Sequence, residues 1–335
     1  MTLGKRGFIV SDCCAPTVAD KYSQRQSINS VRVKKFVQEL NKMAKIESGP
    51  FDMGTNNAVA YPLDREGPKR KIELQEFWID RTAVSNKDFA SFVESTGYIT
   101  EAEYLGWSFV PKFLVPNLDS KFLLGQPTGI PWWAAVKDAN WRQPLGPKSS
   151  FVDLQNHPVV HISWDDANAF AQWCGKRLPT EAEWEKAAKG GSENTLYPWG
   201  DKLMIDGNFT CNIWQGYFPD FNSGEDGYLG TAPVNSFEPN GFGLYNVCGN
   251  VWEWCYDWWS NELYPLNNQE DELNHPKSVR TDKNKVIKGG SFLCHDSYCN
   301  RYRPSARTSQ PPNSPTAHIG FRCVWDTNLQ LIGSR

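Results

Sequence analysis

The sequence predicts an α+β fold with a low content of regular secondary structure. The chain has 335 residues, among them 15 Trp, 26 Gly and 22 Pro. This composition favours a core of large aromatic side chains that is held by turns and irregular segments rather than by long helices. Three short helices are indicated before residue 190, and afterwards short apolar segments alternate with clusters of Gly, Pro, Asn and Asp. Such alternation is typical of short strands joined by long ordered loops.

The N-terminal 48 residues differ from the rest of the chain in charge. They carry nine Lys and Arg, four Asp and Glu and no Trp, whereas the whole chain has a formal net charge of −3. We therefore divide the chain into a basic N-terminal extension, residues 1–48, and one domain, residues 49–335, because no Ser/Gly-rich or Pro-rich linker divides the second part. The adjacent Cys13 and Cys14 are compatible with a metal site or with two exposed thiols.

Charge and hydropathy argue against two classes of partner. The nearly balanced charge is unlike that of a nucleic-acid-binding protein, which usually has a clear basic excess. No stretch approaches 18 uncharged apolar residues, so we expect no membrane-spanning helix and no membrane partner. The apolar run after Lys5 and Arg6 is too short for a signal peptide, which favours a cytoplasmic protein with reduced or metal-bound thiols.

The three predicted helices begin at capping boxes, in which a Ser or Thr side chain caps the first amides and an acid three residues later bonds back. The pairs are Ser85 with Asp88, Ser163 with Asp166, and Thr180 with Glu183. The third helix is predicted to end at Gly190-Gly191, a typical C-terminal signal.

Two oxygen-rich loops are candidate calcium sites. Side-chain oxygens are offered in the first by Asn212, Asp220, Asn222, Glu225 and Asp226, and in the second by Asn246, Asn250 and Glu253. Calcium binds six to eight carboxylate, amide and carbonyl oxygens, which Gly-interrupted acidic loops can supply. Neither loop has EF-hand spacing, so the pattern alone is equally typical of solvated turns.

A second candidate site is the pair Cys294 and Cys299. The spacing does not match a thioredoxin-type Cys-x-x-Cys, and no second pair completes a tetrahedral zinc site. Two thiolates suffice for a soft ion such as Cu(I). Spacing alone leaves a disulfide or two buried thiols as alternatives. Nearby positive charge from Arg301, Arg303 and Arg307 favours thiolates, whereas Asp296 opposes them.

Several motifs in order resemble the formylglycine-generating enzymes, also called sulfatase-modifying factors. They are Gly-Lys-Arg-Leu-Pro-Thr-Glu-Ala-Glu-Trp-Glu (175–185), Tyr-Pro-Trp-Gly (197–200), Asn-Ile-Trp-Gln-Gly (212–216), Gly-Glu-Asp-Gly (224–227), Gly-Leu-Tyr-Asn-Val-Cys-Gly-Asn-Val-Trp-Glu-Trp (243–254), Gly-Gly-Ser-Phe-Leu-Cys-His-Asp-Ser-Tyr-Cys (289–299) and Gly-Phe-Arg-Cys (320–323). The resemblance covers residues 49–325. It implies an irregular α+β fold related to C-type lectins and makes residues 49–335 the catalytic domain.

The resemblance also implies an activity. Family members use O₂ to oxidise the cysteine of a Cys-x-Pro-x-Arg segment in an unfolded sulfatase polypeptide to Cα-formylglycine. By similarity, Cys294 and Cys299 hold Cu(I), the substrate thiolate is a third ligand, and Ser291, Tyr298 and Trp252 lie beside the copper. The rival interpretation, a non-catalytic lectin-like relative that only binds sulfatase, does not need both cysteines.

Two structural Ca²⁺ sites are implied in the same way. The first comprises Asn212, the Ile213 carbonyl, Asp226 and the Tyr228 carbonyl. The second comprises Asn246, Glu253 and the carbonyls of Gly249 and Val251.

The chain departs from some relatives in its cysteines and in one histidine. Animal secretory-pathway relatives carry structural disulfides, and most of those cysteines are absent here, so Cys323 is expected to have no partner. We expect Cys211, Cys248 and Cys255 to be buried packing thiols. His318 stands where some relatives have Asn near the substrate groove, which leaves its effect on substrate positioning open.

Overall fold

The computed structural model describes residues 16–17, 40–260 and 283–326. Within these ranges the α-helices are α1 (Asn86–Thr96), α2 (Glu101–Leu105), α3 (Trp164–Trp173) and α4 (Glu181–Lys189). Short 3-10 helices lie at Leu40–Lys42, Pro62–Asp64, Lys112–Leu114, Ser120–Phe122 and Val152–Leu154. Long loops connect these elements.

The strands are short and form several small sheets. They are β1 (Met43–Ile46), β2 (Gly49–Met53), β3 (Arg70–Leu74), β4 (Phe77–Asp80), β5 (Trp107–Pro111), β6 (Leu123–Gly125), β7 (Trp133–Lys137), β8 (Met204–Ile205), β9 (Asn208–Phe209), β10 (Gly216–Tyr217), β11 (Phe221–Asn222), β12 (Trp252–Trp258), β13 (Lys285–Lys288), β14 (Thr308–Gln310), β15 (Ile319–Gly320) and β16 (Val324–Trp325). The largest described sheet has the order β14-β13-β12-β15, and two three-stranded sheets have the orders β1-β4-β16 and β5-β7-β6. The prediction of an α+β fold with little regular secondary structure is confirmed.

The predicted helix starts are confirmed with one difference in detail. Ser163 and Thr180 form complete capping boxes with Asp166 and Glu183. Ser85 caps the amide of Asp88, but the reciprocal half of that box is not formed. Helix α4 ends at Gly190, whose φ of 61° lies in the left-handed region that suits glycine.

Aromatic side chains fill the core, as the composition predicts. Phe89, Phe92, Phe170 and Phe321 contact one another with ring centroids 5.4–6.5 Å apart. Six buried tryptophans extend this cluster: Trp141, Trp173, Trp184, Trp252, Trp254 and Trp259. A second cluster contains Trp107, Trp133 and Trp214, and Trp325 is also buried. Offset and edge-to-face ring contacts of this kind pack irregular segments together without long helices.

Strand β1 lies before residue 49, the predicted boundary between extension and domain. Its residues pair with β4 from Met43 opposite Asp80 to Ile46 opposite Phe77. The end of the predicted extension therefore contributes to a sheet of the domain. Cys13 and Cys14 lie outside the described residues. No helix within the described ranges is long and apolar enough to cross a membrane.

Candidate functional site

The cysteine loop follows strand β13 through two glycines. Gly289 and Gly290 have φ angles of 92° and 73°, and a Cβ atom on Gly290 would lie 2.8 Å from Tyr302 Cα. Only glycine fits this close approach without strain. The loop then turns twice, since the Cys294 amide donates to the Ser291 carbonyl at 2.9 Å and the Cys299 amide donates to the His295 carbonyl at 2.7 Å.

The two turns bring the predicted thiol ligands together. Cys294 Sγ and Cys299 Sγ lie 3.4 Å apart, well beyond the roughly 2.05 Å of a disulfide bond. Both side chains have no exposed surface. The Ser291 amide lies 3.4 Å from Cys294 Sγ, so Ser291 also belongs to the site. The predicted pair is therefore a buried dithiol.

One arginine faces this dithiol. Arg301 Nη1 lies 3.8 Å from Cys299 Sγ, and Arg301 Nε donates to Asp64 Oδ2 at 2.6 Å. Asp64 is 237 residues away in sequence, so no local pattern could have predicted that it fixes this guanidinium. Of the three nearby arginines, Arg301 contacts a thiol directly, and an effect of Arg303 and Arg307 on the thiols stays a prediction.

The other two arginines are held in ion pairs of their own. Arg303 forms a bidentate pair with Glu66, and Arg307 forms one with Glu181. These guanidinium groups donate to carboxylates rather than to a thiol, so any effect of theirs on the dithiol acts through charge at a distance.

Trp252 and Tyr298 differ in their exposure to solvent. Trp252 is fully buried in the same apolar cluster as the two cysteines, and its indole Nε1 has no hydrogen-bond partner among the described residues. Tyr298 is 36% exposed and stacks on Phe218 with centroids 4.7 Å apart. Its ring also meets Trp132 edge-on at 5.2 Å. Of the five predicted catalytic residues, Tyr298 alone reaches the surface.

His318 is fully buried, and its ring meets Trp133 edge-on with ring centroids 4.9 Å apart. Its Nδ1 lies 2.6 Å from Thr316 Oγ1, and its Nε2 has no partner among the described residues. Burial lowers the pKa of His318 to about 3, although negative charge on Cys299 would raise it. The ring is therefore neutral at physiological pH and offers a buried polar nitrogen near the site.

The first oxygen-rich loop contains an unsatisfied amide oxygen. Asn212 Oδ1 is buried without a partner among the described residues, while Asn212 Nδ2 donates to the Gly230 carbonyl at 2.9 Å. Asp226 Oδ2 accepts from the Ile213 amide at 2.9 Å and from Gln215 Nε2 at 2.7 Å, and Gln215 Nε2 also contacts the Ile213 carbonyl. Burial raises the pKa of Asp226.

The three other candidate oxygen donors of this loop are either exposed or used as a turn residue. Asp220 and Glu225 are exposed. Asn222 Oδ1 accepts from backbone amides of Gln215 and Gly224, which is the use of a turn residue. Gln215, which the sequence pattern did not suggest, lies between two of the predicted calcium ligands.

The second oxygen-rich loop also contains an unsatisfied amide oxygen. Asn246 Oδ1 is buried without a partner in the described part of the chain, and Asn246 Nδ2 donates to the Pro233 carbonyl at 2.9 Å. Glu253 is already engaged: Arg322 donates to both of its oxygens at 2.6 and 2.7 Å, and Trp184 Nε1 donates at 2.7 Å. Glu253 Oε1 receives one of these three bonds and keeps further acceptor capacity.

Asn250 joins both oxygen-rich loops to the cysteine loop. Its amide donates to the Asn212 carbonyl at 2.8 Å, and its Oδ1 accepts from the Ala232 amide at 2.8 Å. Its carbonyl accepts from the Phe292 amide at 2.9 Å, and Phe292 lies two residues before Cys294. The loops and the dithiol thus form one connected backbone network.

Clusters of three or more His, Cys, Asp or Glu side chains able to bind a metal are absent from the described ranges. A metal here would depend on the two thiolates, or on asparagine and carbonyl oxygens. Those are the ligand types that soft Cu(I) and hard Ca²⁺, respectively, prefer.

Known proteins resemble this chain along most of its length. The sulfatase-modifying factor enzyme 1-like domain matches residues 29–327. A formylglycine-generating enzyme of Thermomonospora curvata is 54% identical over 294 residues, covering 86% of this chain and 95% of that protein. The formylglycine-generating enzyme of Mus musculus is 46% identical over 308 residues, covering 92% and 81%. An inactive C-alpha-formylglycine-generating enzyme 2 of Bos taurus is 40% identical over 285 residues, covering 84% and 87%.

Solved structures share the fold at low sequence identity. PvdO from Pseudomonas aeruginosa has a TM-score of 0.58 at 22% identity, covering 84% of this chain and 93% of that chain. Treponema denticola variable protein 1 has a TM-score of 0.51 at 19% identity, covering 84% and 94%. The domain match spans most of the chain, and relatives at 46–54% identity agree with it. The chain therefore belongs to the family of the formylglycine-generating enzymes, the sulfatase-modifying factors.

Proposed function

We propose that this protein is a copper-dependent oxidase that converts the cysteine of a Cys-x-Pro-x-Arg segment in sulfatase polypeptides to Cα-formylglycine, with O₂ as the oxidant. The observation that carries the proposal is the buried dithiol, Cys294 Sγ to Cys299 Sγ at 3.4 Å, in a chain of this family. A protein that only bound sulfatase would not need two converging thiols at the end of a glycine turn.

The donor set of the dithiol fits Cu(I). Two thiolates are soft ligands, and Cys294 and Cys299 would hold the ion in surroundings without exposed surface. Bound there, Cu(I) would supply a redox-active centre for the reaction between a substrate thiolate and O₂. The guanidinium of Arg301 favours the thiolate form of Cys299, and burial keeps bulk water away from the reacting sulfur.

The substrate polypeptide is proposed to approach from the side of Tyr298. This ring, stacked on Phe218, is the partly exposed end of the candidate site. An extended peptide can pack on such aromatic faces while its cysteine reaches inward. Ser291, Trp252 and His318 enclose the inner side, where the indole Nε1 of Trp252 and the Nε2 of His318 are available to the substrate or to O₂.

We also propose one structural Ca²⁺ in each oxygen-rich loop. Support comes from Asn212 Oδ1 and Asn246 Oδ1, which are buried acceptors without partners among the described residues. A buried polar atom without a partner is costly, and an ion bound to it removes that cost. Asp226 and Glu253 supply the carboxylates, and the Ile213, Tyr228, Gly249 and Val251 carbonyls complete the sets.

The proposal is tested by mass spectrometry of a Cys-x-Pro-x-Arg peptide incubated with the protein, Cu(I), a reductant and air. We expect the aldehyde product with the unchanged protein and a loss of at least 100-fold in turnover for Cys294→Ser and Cys299→Ser. Cys174→Ser, which changes a thiol far from this loop in sequence, is the control and should retain activity.

The alternative of a non-catalytic binding relative predicts a different result. Such a protein would bind the peptide, as measured by fluorescence anisotropy, without forming the aldehyde under any copper or oxygen condition. Turnover that persists in both serine variants would rule out the copper assignment while leaving the oxidase activity intact.

A further inference from the structure

Two cysteines outside the candidate active site lie against each other. Cys174 is the C-terminal cap of α3, and Cys323 immediately precedes β16. The backbones of Arg177 and Val324 exchange two hydrogen bonds, of 2.9 and 2.8 Å, which bring these two segments together. The thiols of Cys174 and Cys323 are within hydrogen-bonding contact. Both are free thiols in the structure, so the expectation that Cys323 has no disulfide partner stays a prediction, although Cys174 is its neighbour.

The two thiols differ in access. Cys323 has no exposed surface, whereas Cys174 is 7% exposed and lines a surface pocket of about 150 Å³. Lys176 and Asp80 line the same pocket. A small oxidant can therefore reach Cys174 first.

The surroundings of Cys323 favour the same order. The ammonium group of Lys176 interacts with both thiols and is itself paired with Asp80. Burial, and then the hydrogen bond with Cys174, raise the pKa of Cys323 far above its ordinary value. Cys174 has the same cationic neighbour and, unlike Cys323, has access to solvent.

We propose that Cys174 and Cys323 are a redox-sensitive pair that a low-molecular-weight disulfide such as oxidised glutathione converts into a disulfide bond. The Cys174 thiolate attacks one sulfur of oxidised glutathione, which forms a mixed disulfide and releases one reduced glutathione. The Cys323 thiolate then attacks Cys174 Sγ and releases the second. Two protein thiols are oxidised and one glutathione disulfide is reduced, so electrons and protons balance.

The bond would fasten the C-terminal strand to the middle of the domain. Strand β16 pairs with β4, and Arg322, just before it, holds Glu253 of the second oxygen-rich loop. The cross-link closes a chain segment of about 150 residues, and restricting so long a loop in the unfolded state stabilises the folded one. The inference is independent of the proposed oxidase activity.

The test equilibrates the full chain in glutathione buffers of increasing oxidised fraction and maps disulfides by mass spectrometry without reduction. We expect a cross-linked peptide joining Cys174 to Cys323, together with a rise of several degrees in melting temperature. The rise should be absent in Cys174→Ser. Cys211 and Cys248 serve as an internal control, because they are buried neighbours that do not line this pocket and should stay reduced.

Two results would overturn the inference. One is recovery of both cysteines in the reduced form at the most oxidising buffer. The other is a stable glutathione adduct on Cys174 with no cross-link, which would identify a single reactive thiol. Because the peptide map is made on the unchanged chain, neither result depends on whether a variant folds. Peptide oxidation measured in parallel should be the same for Cys174→Ser and the unchanged chain.

Discussion

The surroundings of Asp257 raise the pKa of its carboxyl group. It lies in β12 and accepts a hydrogen bond of 2.7 Å from the Glu181 amide at the start of α4. Burial, followed by the nearby Glu181 carboxylate, raises the pKa of Asp257 to about 7. A raised folded-state pKa means that the folded protein binds the proton more tightly than the unfolded chain does.

The sign of the pH dependence follows for Asp257→Asn. In the unchanged protein, the stability from the protonated carboxyl is complete below pH 4 and is lost as pH rises through 7. One pKa unit corresponds to about 1.4 kcal/mol. Between pH 5 and 8 the free energy of unfolding of the unchanged protein should therefore fall more than that of the asparagine variant, by roughly 1 kcal/mol or more. Urea denaturation at both pH values measures this difference. Asp153→Asn, at an exposed position, is the control. If the free energy of unfolding changed equally with pH in all three proteins, the raised pKa would not belong to Asp257.

Single residues also show how far the sequence could predict the site. Motifs that are contiguous in the chain predict the two cysteines, Ser291 and the two asparagines, and the structure places the two thiols 3.4 Å apart. Asp64 and Gln215 were missed: Asp64 acts through Arg301 across 237 residues, and Gln215 looks like an ordinary strand residue. Contacts between segments that are distant in sequence cannot be predicted from the local spacing of residues.

Among the secondary-structure elements, helix starts were predictable and short strands were not. Capping boxes are local, so α1, α3 and α4 were located from four residues each. The same signature at Thr100 and Glu103 begins α2, a helix beyond the three predicted, and both halves of its box are formed. Strands of two residues, such as β8 and β9, depend on pairing partners that no periodicity over two residues can reveal.

The junction of the two oxygen-rich loops gives a prediction for Gly249→Ala. Gly249 has a φ of 75°, and a Cβ atom there would lie 2.1 Å from the Asn212 carbonyl oxygen. The two loops would have to separate, at a cost on the order of 3–5 kcal/mol in the free energy of unfolding. Thermal and urea denaturation in the presence of Ca²⁺ measure this cost.

Gly97→Ala is the matched control for this prediction. Gly97 has a φ of 68° at the end of α1, and a Cβ atom there would meet nothing within 4 Å. It therefore carries the same left-handed strain, about 1–2 kcal/mol, without the clash. If both variants lost the same stability, the close approach of the two loops would not matter.

The molecule as a whole is built from loops that are tied to one another by buried polar groups. Asn250 bonds to the Asn212 carbonyl and to the Ala232 amide, and its own carbonyl bonds to Phe292 of the cysteine loop. Large aromatic residues fill the spaces between these segments, which composition alone indicated. The order in which the segments meet could not be predicted, because it is set by such long-range bonds.

This dependence on loops leads to a prediction for calcium removal. If each loop binds Ca²⁺ at 100 times its dissociation constant, each site adds about 2.7 kcal/mol, so a saturating chelator should lower the melting temperature by about 5–10 °C per site. Asn246→Leu, which removes an unpartnered buried oxygen, should shrink this shift. Asn140→Leu is the control, because Asn140 Oδ1 already accepts from the Arg142 and Gln143 amides. That variant should be less stable yet keep the full shift. If the chelator left the melting temperature unchanged, both calcium sites would be excluded. The unpartnered oxygens of Asn212 and Asn246 would then need another bonding partner.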